Sequence, residues 1–273
     1  VKNQSHSNWE SVAGIWQHRP PIVPDPEDIG FFERAAAAAT TNNALRALLL
    51  GVTGGIATMQ WPATVRLTAV DWSAGMIKKA WPRTGLPVDA AVVLADWMAM
   101  PLDERSCDVA LGDGCYTALG SLDAAVELNR AVARVLEPGG VLALRCFARG
   151  EKRASVDEIF DELLAGNETN LGLFRWRLLM ALQGDGVSGV VLDDAWRVWH
   201  ERVPEPEQYI ERFGWFAHEV DHIARYAGQQ ACYVFPTVDE LEAAAPDFEL
   251  TECDIPTYRC GAHFPRLVFV KRG

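Results

Sequence analysis

The stretch from Ala47 to Asp71 limits the fold more than any other part of the chain. An apolar run (Ala47, Leu48, Leu49, Leu50) stops at Gly51, the turn Gly51-Val52-Thr53-Gly54-Gly55 follows, and a β-branched run from Val65 to Val70 delivers Asp71. Asp71 stands 20 residues past Gly51. An acid about that far from a glycine turn closes the second strand of α/β nucleotide-binding sheets, where it accepts hydrogen bonds from ribose hydroxyls. The stretch reads as a nucleotide-binding half-unit or, more plainly, as a βαβ crossover with glycines in its turn.

The chain on either side decides between the two. Ile29 to Ala39 is alanine-rich with helical spacing, and a short helical piece is expected around Ile56 to Trp61, stopped by Pro62. Ser73 reads as the N-cap of a helix carrying Met76, Ile77, Ala80 and Trp81, ended by Pro82. A third strand, Ala90 to Ala95, ends in Asp96-Trp97, and a fourth, Asp108 to Leu111, ends in Gly112-Asp113-Gly114. Ser121 caps a helix whose apolar face is Leu122, Ala125, Val126, Val132, Ala133 and Leu136, and Glu137-Pro138-Gly139-Gly140 turns the chain into a fifth strand, Val141 to Phe147. Strands alternating with helices imply a parallel sheet with right-handed crossovers. Ligands of such sheets bind outside the carboxyl ends of the strands, where Gly51, Asp71, Asp96 and Asp113 fall.

The outer segments differ in character. Residues 1–30 hold an amphipathic piece (Trp9, Val12, Ile15, Trp16) and then HRPPIVPDPED, whose four prolines predict an extended arm rather than a helix. From about Gly150 to Ala245 the sequence is helical, charged and aromatic, with Trp176, Trp196, Trp199 and Trp215, too long for a βα loop. Phe248 to Asp254 and Leu267 to Val270 then predict an antiparallel hairpin. The expected architecture is α/β: a Rossmann-like, mostly parallel sheet with a terminal antiparallel hairpin and an inserted helical lid subdomain. Its parts are an N-terminal arm and helix over 1–45, a core over 46–149 and 246–273, and a helical lid or substrate subdomain over 150–245.

With 49% hydrophobic residues in 273, the chain can bury one large core. A formal charge of −12 disfavours nucleic acid as a partner, because backbone binding relies on clustered Lys and Arg. The six cysteines are dispersed without a CxxC pair, as in reduced thiols, and no run of 18 apolar residues occurs. The expectation is a cytoplasmic protein with a small-molecule substrate and no membrane or nucleic-acid partner; the oligomeric state is not readable.

Taken together, the glycine turn, the acids after the second, third and fourth strands, the Pro-Gly-Gly entry to the fifth and the final hairpin resemble the class I S-adenosylmethionine-dependent methyltransferases over roughly 45–150 and 246–271. The resemblance implies S-adenosyl-L-methionine as cofactor and S-adenosyl-L-homocysteine as product, with O- or N-methylation of a small molecule. It implies that Gly51, Thr53, Gly54 and Gly55 lie against the methionine and ribose portion, and that Asp71 holds the ribose hydroxyls. Trp72 and Met76 would flank the adenine, Asp96 and the Trp97 backbone would take its polar edge, and Asp113 would face the methyl group. The chain departs from the family's turn at Leu49, where an acid is usual, and at Thr53, where a glycine is usual.

His218-Glu219-Val220-Asp221-His222 matches H-E-x-x-H, whose histidines share a helix face and bind zinc in one class of metalloenzymes. The continuation has Arg225 where the extended motif has glycine, and a third ligand such as Glu240 or Glu242 rests on distance alone, so no metal is expected. Asp113, His218 and His222 are the catalytic candidates, with Tyr116 and His200 as further acceptor contacts. Two alternatives remain: an NAD-dependent oxidoreductase, which shares the Gly51 to Asp71 spacing but wants G-x-G-x-x-G, and a degenerate methyltransferase-like binding module.

Overall fold

The computed structural model describes residues 18–40, 44–150, 154–184 and 188–273. The expected amphipathic piece at Trp9 to Trp16 lies outside them. Strands β1 (Leu45–Leu50), β2 (Val65–Asp71), β3 (Asp89–Leu94), β4 (Cys107–Asp113) and β5 (Leu136–Arg145) run parallel, and β8 (Phe248–Asp254) and β9 (Arg266–Lys271) complete a seven-stranded sheet in the order β3-β2-β1-β4-β5-β9-β8. Strand β9 is antiparallel to both β5 and β8, which is the predicted hairpin. A second, two-stranded sheet pairs β6 (Val190–Val191) with β7 (Cys232–Tyr233) and was not expected from the sequence.

Strand β1 lies inside the sheet between β2 and β4, so both of its faces need cover. Leu45, Ala47 and Leu49 face Phe31, Phe32 and Ala36 of α1 (Pro26–Ala38) and Ile56 and Ala57 of α2 (Gly54–Ala57). Leu48 and Leu50 face the opposite cluster, with Leu128 and Val132 of α4 (Leu122–Val135), which follows α3 (Ala74–Ala80) in the chain. Ser73 and Ser121 cap α3 and α4 as expected, their hydroxyls accepting from Met76 N and Ala124 N.

Two local readings need correction. The fourth proline of the arm does not extend it but begins α1: Pro26 occupies the first turn, where its missing N–H costs nothing, and Asp25 and Asp28 form a reciprocal capping box. Strand β5 also starts earlier than Val141, because Leu136 already pairs with Cys107 before Val141 pairs with Val109. Glu137 to Gly140 therefore form a bulge within the ladder, and a Cβ on Gly140 would stand 2.9 Å from the Glu137 carbonyl.

Between β5 and β8 the chain forms α5 (Val156–Leu164), α6 (Leu171–Gln183), α7 (Leu192–Arg202), α8 (Glu207–Phe213), α9 (Ala217–Ala224) and α10 (Val238–Ala243). All but α10 pack around an aromatic-rich cluster of their own, with Phe160, Phe174, Trp176, Trp199, Trp215 and Tyr226. Three outside side chains, Ile22 of the arm, Phe147 just past β5 and Phe264 before β9, enter this cluster and tie it to the sheet. Among the described residues no helix is long and apolar enough to cross a membrane.

Candidate active site

Strand register brings the site together. Leu50 pairs with Val70 and with Gly112, and Asp113 pairs with Arg145, so Gly51, Asp71, Asp113 and Arg145 come out at neighbouring carboxyl ends of the sheet. A cavity of about 250 Å³ opens there. One end is walled by Gly51, Val52, Thr53, Gly54, Gly55, Asp71, Trp72, Met76 and Trp97, and the other by Asp113, Gly114, Cys115, Thr117, Phe147 and Trp176. Ile22, Val23 and Pro24 of the arm line it as well.

The glycine turn is compatible with a closely held ligand. Gly51 has φ +92°, and a Cβ on it would lie 3.7 Å from both Asp71 Oδ2 and the Trp97 ring, narrowing the cleft between them. Thr53, where the family has a glycine, sits at φ −62°, a region that a β-branched residue adopts without strain. A Cβ on Gly54 would meet the Ala80 carbonyl at an ordinary contact distance of 3.4 Å, and one on Gly55 would crowd the end of the Ile29 side chain at 3.2 Å.

Asp71 is buried and accepts from Ser73 N at 2.8 Å, which fixes the carboxylate at the strand end. Trp97 is anchored from its indole: Nε1 donates to the Val70 carbonyl at 2.6 Å, and its ring lies 4.5 Å from that of Trp72. Met76 packs against Val52 beneath the turn. Asp96 does not line the cavity. It is exposed and caps a short 3₁₀ turn at Trp97–Ala99, its Oδ1 accepting from Met98 N at 2.9 Å.

Asp113 reaches the cavity but is not a free carboxylate. Arg145 Nε donates to its Oδ1 at 2.7 Å, and both side chains are almost wholly buried. Burial raises the Asp113 pKa while the guanidinium opposes that rise. The same Arg145 donates to the Pro21 and Ile22 carbonyls of the arm at 2.7 and 3.2 Å and lies 3.5 Å from Asp28 of α1. Sequence reading missed Arg145; its one signal is a cation inside the apolar run Leu142-Ala143-Leu144-Arg145-Cys146-Phe147.

The other candidates fall away from the cavity wall. His222 is buried and its ring lies 4.9 Å from that of His18, while His218 stacks on Phe216. Tyr116 is buried, donating to Asn129 Oδ1 at 2.6 Å, and His200 is exposed against Trp196. Among the described residues no group of three His, Cys, Asp or Glu side chains is placed to hold a metal ion, and Glu240 pairs with Arg149 and caps α10.

Residues 48–144 match the family model described as a methyltransferase domain. The chain is similar in fold to the N-methyltransferase NodS from Bradyrhizobium japonicum WM9, crystallised with S-adenosyl-L-homocysteine (10% identity, TM-score 0.55, covering 99% of this chain and 100% of that one). It is similar also to the CcbJ methyltransferase from Streptomyces caelestis (16% identity, TM-score 0.54, full coverage of both). A Rhodobacter sphaeroides chain carried under the name of a zinc-dependent alcohol dehydrogenase superposes too (12% identity, TM-score 0.58, full coverage of both). No curated protein matches the sequence. Residues 48–144 are thus a methyltransferase domain, and the sheet around them has the fold of S-adenosylmethionine-dependent methyltransferases. That domain makes the chain a methyl-transferring enzyme with S-adenosyl-L-methionine as its cofactor.

Proposed function

We propose that this enzyme methylates a small-molecule acceptor held between Phe147, Trp176 and the arm, with the cofactor at the Gly51 and Asp71 end of the same cavity. The observation that carries this reading is the continuity of that cavity from the glycine turn to Trp176. In this reading Asp71 accepts from the ribose hydroxyls, in charge-assisted bonds stronger than neutral ones. Trp72 and Met76 flank the adenine, the turn from Gly51 to Gly55 with Thr53 receives the amino-acid portion, and Asp96 meets the adenine edge from outside the cavity wall. The helices over 150–245 and the arm form the cover that excludes water.

When bound, the cofactor supplies an electrophilic methyl on a sulfonium whose departure is easy, so the chain's task is alignment and exclusion of water. Among the described residues the wall offers no ready base. Asp113 is engaged by Arg145, Cys115 is pushed up to about 12 by burial, and His218 and His222 do not line the cavity. Of the two acceptor chemistries, N-methylation of a neutral amine fits this wall better than O-methylation of an alcohol, because the amine needs no base to become nucleophilic.

Calorimetric titration with S-adenosylhomocysteine and NAD tests the cofactor end. Binding of the adenosyl ligand and not of NAD is expected, and Asp71→Ala weakens it by about 1.5–3 kcal/mol. An unchanged dissociation constant in the variant removes Asp71 from the site.

A further inference from the structure

The two outer strands of the seven-stranded sheet are finished differently. Strand β8 carries Glu249 and Glu252 exposed along its length and breaks register with β9 between Leu250 and Glu252. Charges and irregular pairing of this kind keep a sheet edge from joining another chain. Strand β3, at the other end of the order, has little of either. It pairs with β2 without a break from Asp89 to Leu94, and among the described residues no strand lies on its outer side. Its one charged residue, Asp89, is held by Arg66 of β2 at 3.0 Å, and the rest is Ala-Ala-Val-Val-Leu.

The apolar residues of the β3 edge are placed symmetrically. Among the described residues the exposed large hydrophobic side chains are Val88, Leu94, Phe216 and Ile255, and the two most exposed, Val88 and Leu94, stand three residues either side of Ala91. Laid antiparallel on a second copy with Ala91 opposite Ala91, the segment sets Val88 opposite Leu94, Asp89 opposite Val93 and Ala90 opposite Val92. No acid meets an acid in that register. For a chain of net charge −12 this matters, because two copies repel over most of their surfaces.

We propose that the β3 edge is a self-association surface: two copies of this chain join there by antiparallel pairing about a two-fold axis at Ala91, making one continuous sheet. The backbone N–H and C=O groups on the outer side of β3 supply the hydrogen bonds, and the two contacts of Val88 with Leu94 cover apolar surface that otherwise faces water. A two-fold contact has to be complementary to itself. A strand edge that is close to neutral, and that meets a bulky apolar residue at the same distance in either direction from its middle, satisfies that condition. This self-match, and not exposure alone, names the occupant as a second copy of the chain.

Sedimentation equilibrium of the full chain, from low to high micromolar concentration, tests the pairing, because an edge this short is expected to give a weak and reversible dimer. The weight-average mass of the parent is expected to rise from that of one chain towards that of two. Val88→Lys and Leu94→Glu, taken singly, each remove both contacts of Val88 with Leu94 and set a charge against an apolar side chain, so each is expected to weaken association about tenfold. The double variant places the new ammonium of one copy opposite the new carboxylate of the other, and is expected to recover most of that loss. Within one chain the two positions lie about 20 Å apart along the strand, so the recovery has to come from pairing between copies. A parent that stays monomeric throughout, single variants that associate as the parent does, or a double variant that associates no better than the single ones would each overturn the proposal.

Discussion

At the scale of single residues, Arg145 organises the site without being visible as part of it. Its guanidinium is fully buried and divides its donors among Asp113, the arm carbonyls and the neighbourhood of Asp28, so removing it strands carboxylates in a dry interior. Arg145→Met is expected to cost about 3–5 kcal/mol, the range for breaking a buried pair by deleting one partner. Urea denaturation of the two proteins measures it, and a change under about 1 kcal/mol would show that the pair is weakly coupled to folding. The place of Asp71 at the end of β2, by contrast, was legible from its spacing. The difference is physical: a strand-end acid is fixed by local periodicity, whereas the partners of Arg145 lie 32 residues back at Asp113 and 123 back at Ile22. Thr53 was legible as a departure, and its negative φ accounts for how the turn accepts it.

At the scale of elements, the parallel strands and the capped helices α3 and α4 could be read from the chain because each is specified by its own pattern. The bulge at Glu137 to Gly140 could not, since it depends on the ladder with β4. The start of α1 was misread for a different reason: proline disfavours a helix interior but suits its first turn, and the composition of the arm alone does not say which applies. The cap makes that start consequential. Asp25→Ala removes the acceptor for Glu27 N and loosens the residue that holds Asp28 in register with Arg145. A loss of about 0.5–2 kcal/mol in urea unfolding is expected. A weaker affinity for S-adenosylhomocysteine in calorimetry should accompany it, because Ile22, Val23 and Pro24 line the cavity just before the cap.

Across the whole molecule, charge is distributed unevenly. A net −12 is carried mostly outside, while the helices over the cavity bury Arg175 beside His18 and His222. Burial first, and the Arg175 charge second, hold His18 down to about 3 and His222 well below its ordinary value. Between the unfolded value near 6.5 and the depressed folded one, the unfolded chain therefore binds more protons, and stability falls as pH drops through that window. Each histidine contributes at most about 1.4 kcal/mol per pH unit. Urea titrations at about pH 7.5, 6.5 and 5.5 are expected to show the decline, and His222→Gln to make it shallower. None of this was readable beforehand, because the H-E-x-x-H spacing announces a shared helix face but not that the face is turned inward onto a cation.

The tryptophans around the cavity have an optical consequence. Trp72 and Trp97 lie with ring centroids 4.5 Å apart, close enough for their excited states to couple, and Trp97 is held rigidly by its bond to the Val70 carbonyl. Trp176 stands at the other end of the same cavity, against Tyr233 and Phe147. The chain thus carries its own reporters at both ends of the space, and Trp97→Phe and Trp176→Phe difference spectra in the near ultraviolet pick out each end from the ten tryptophans without an added label.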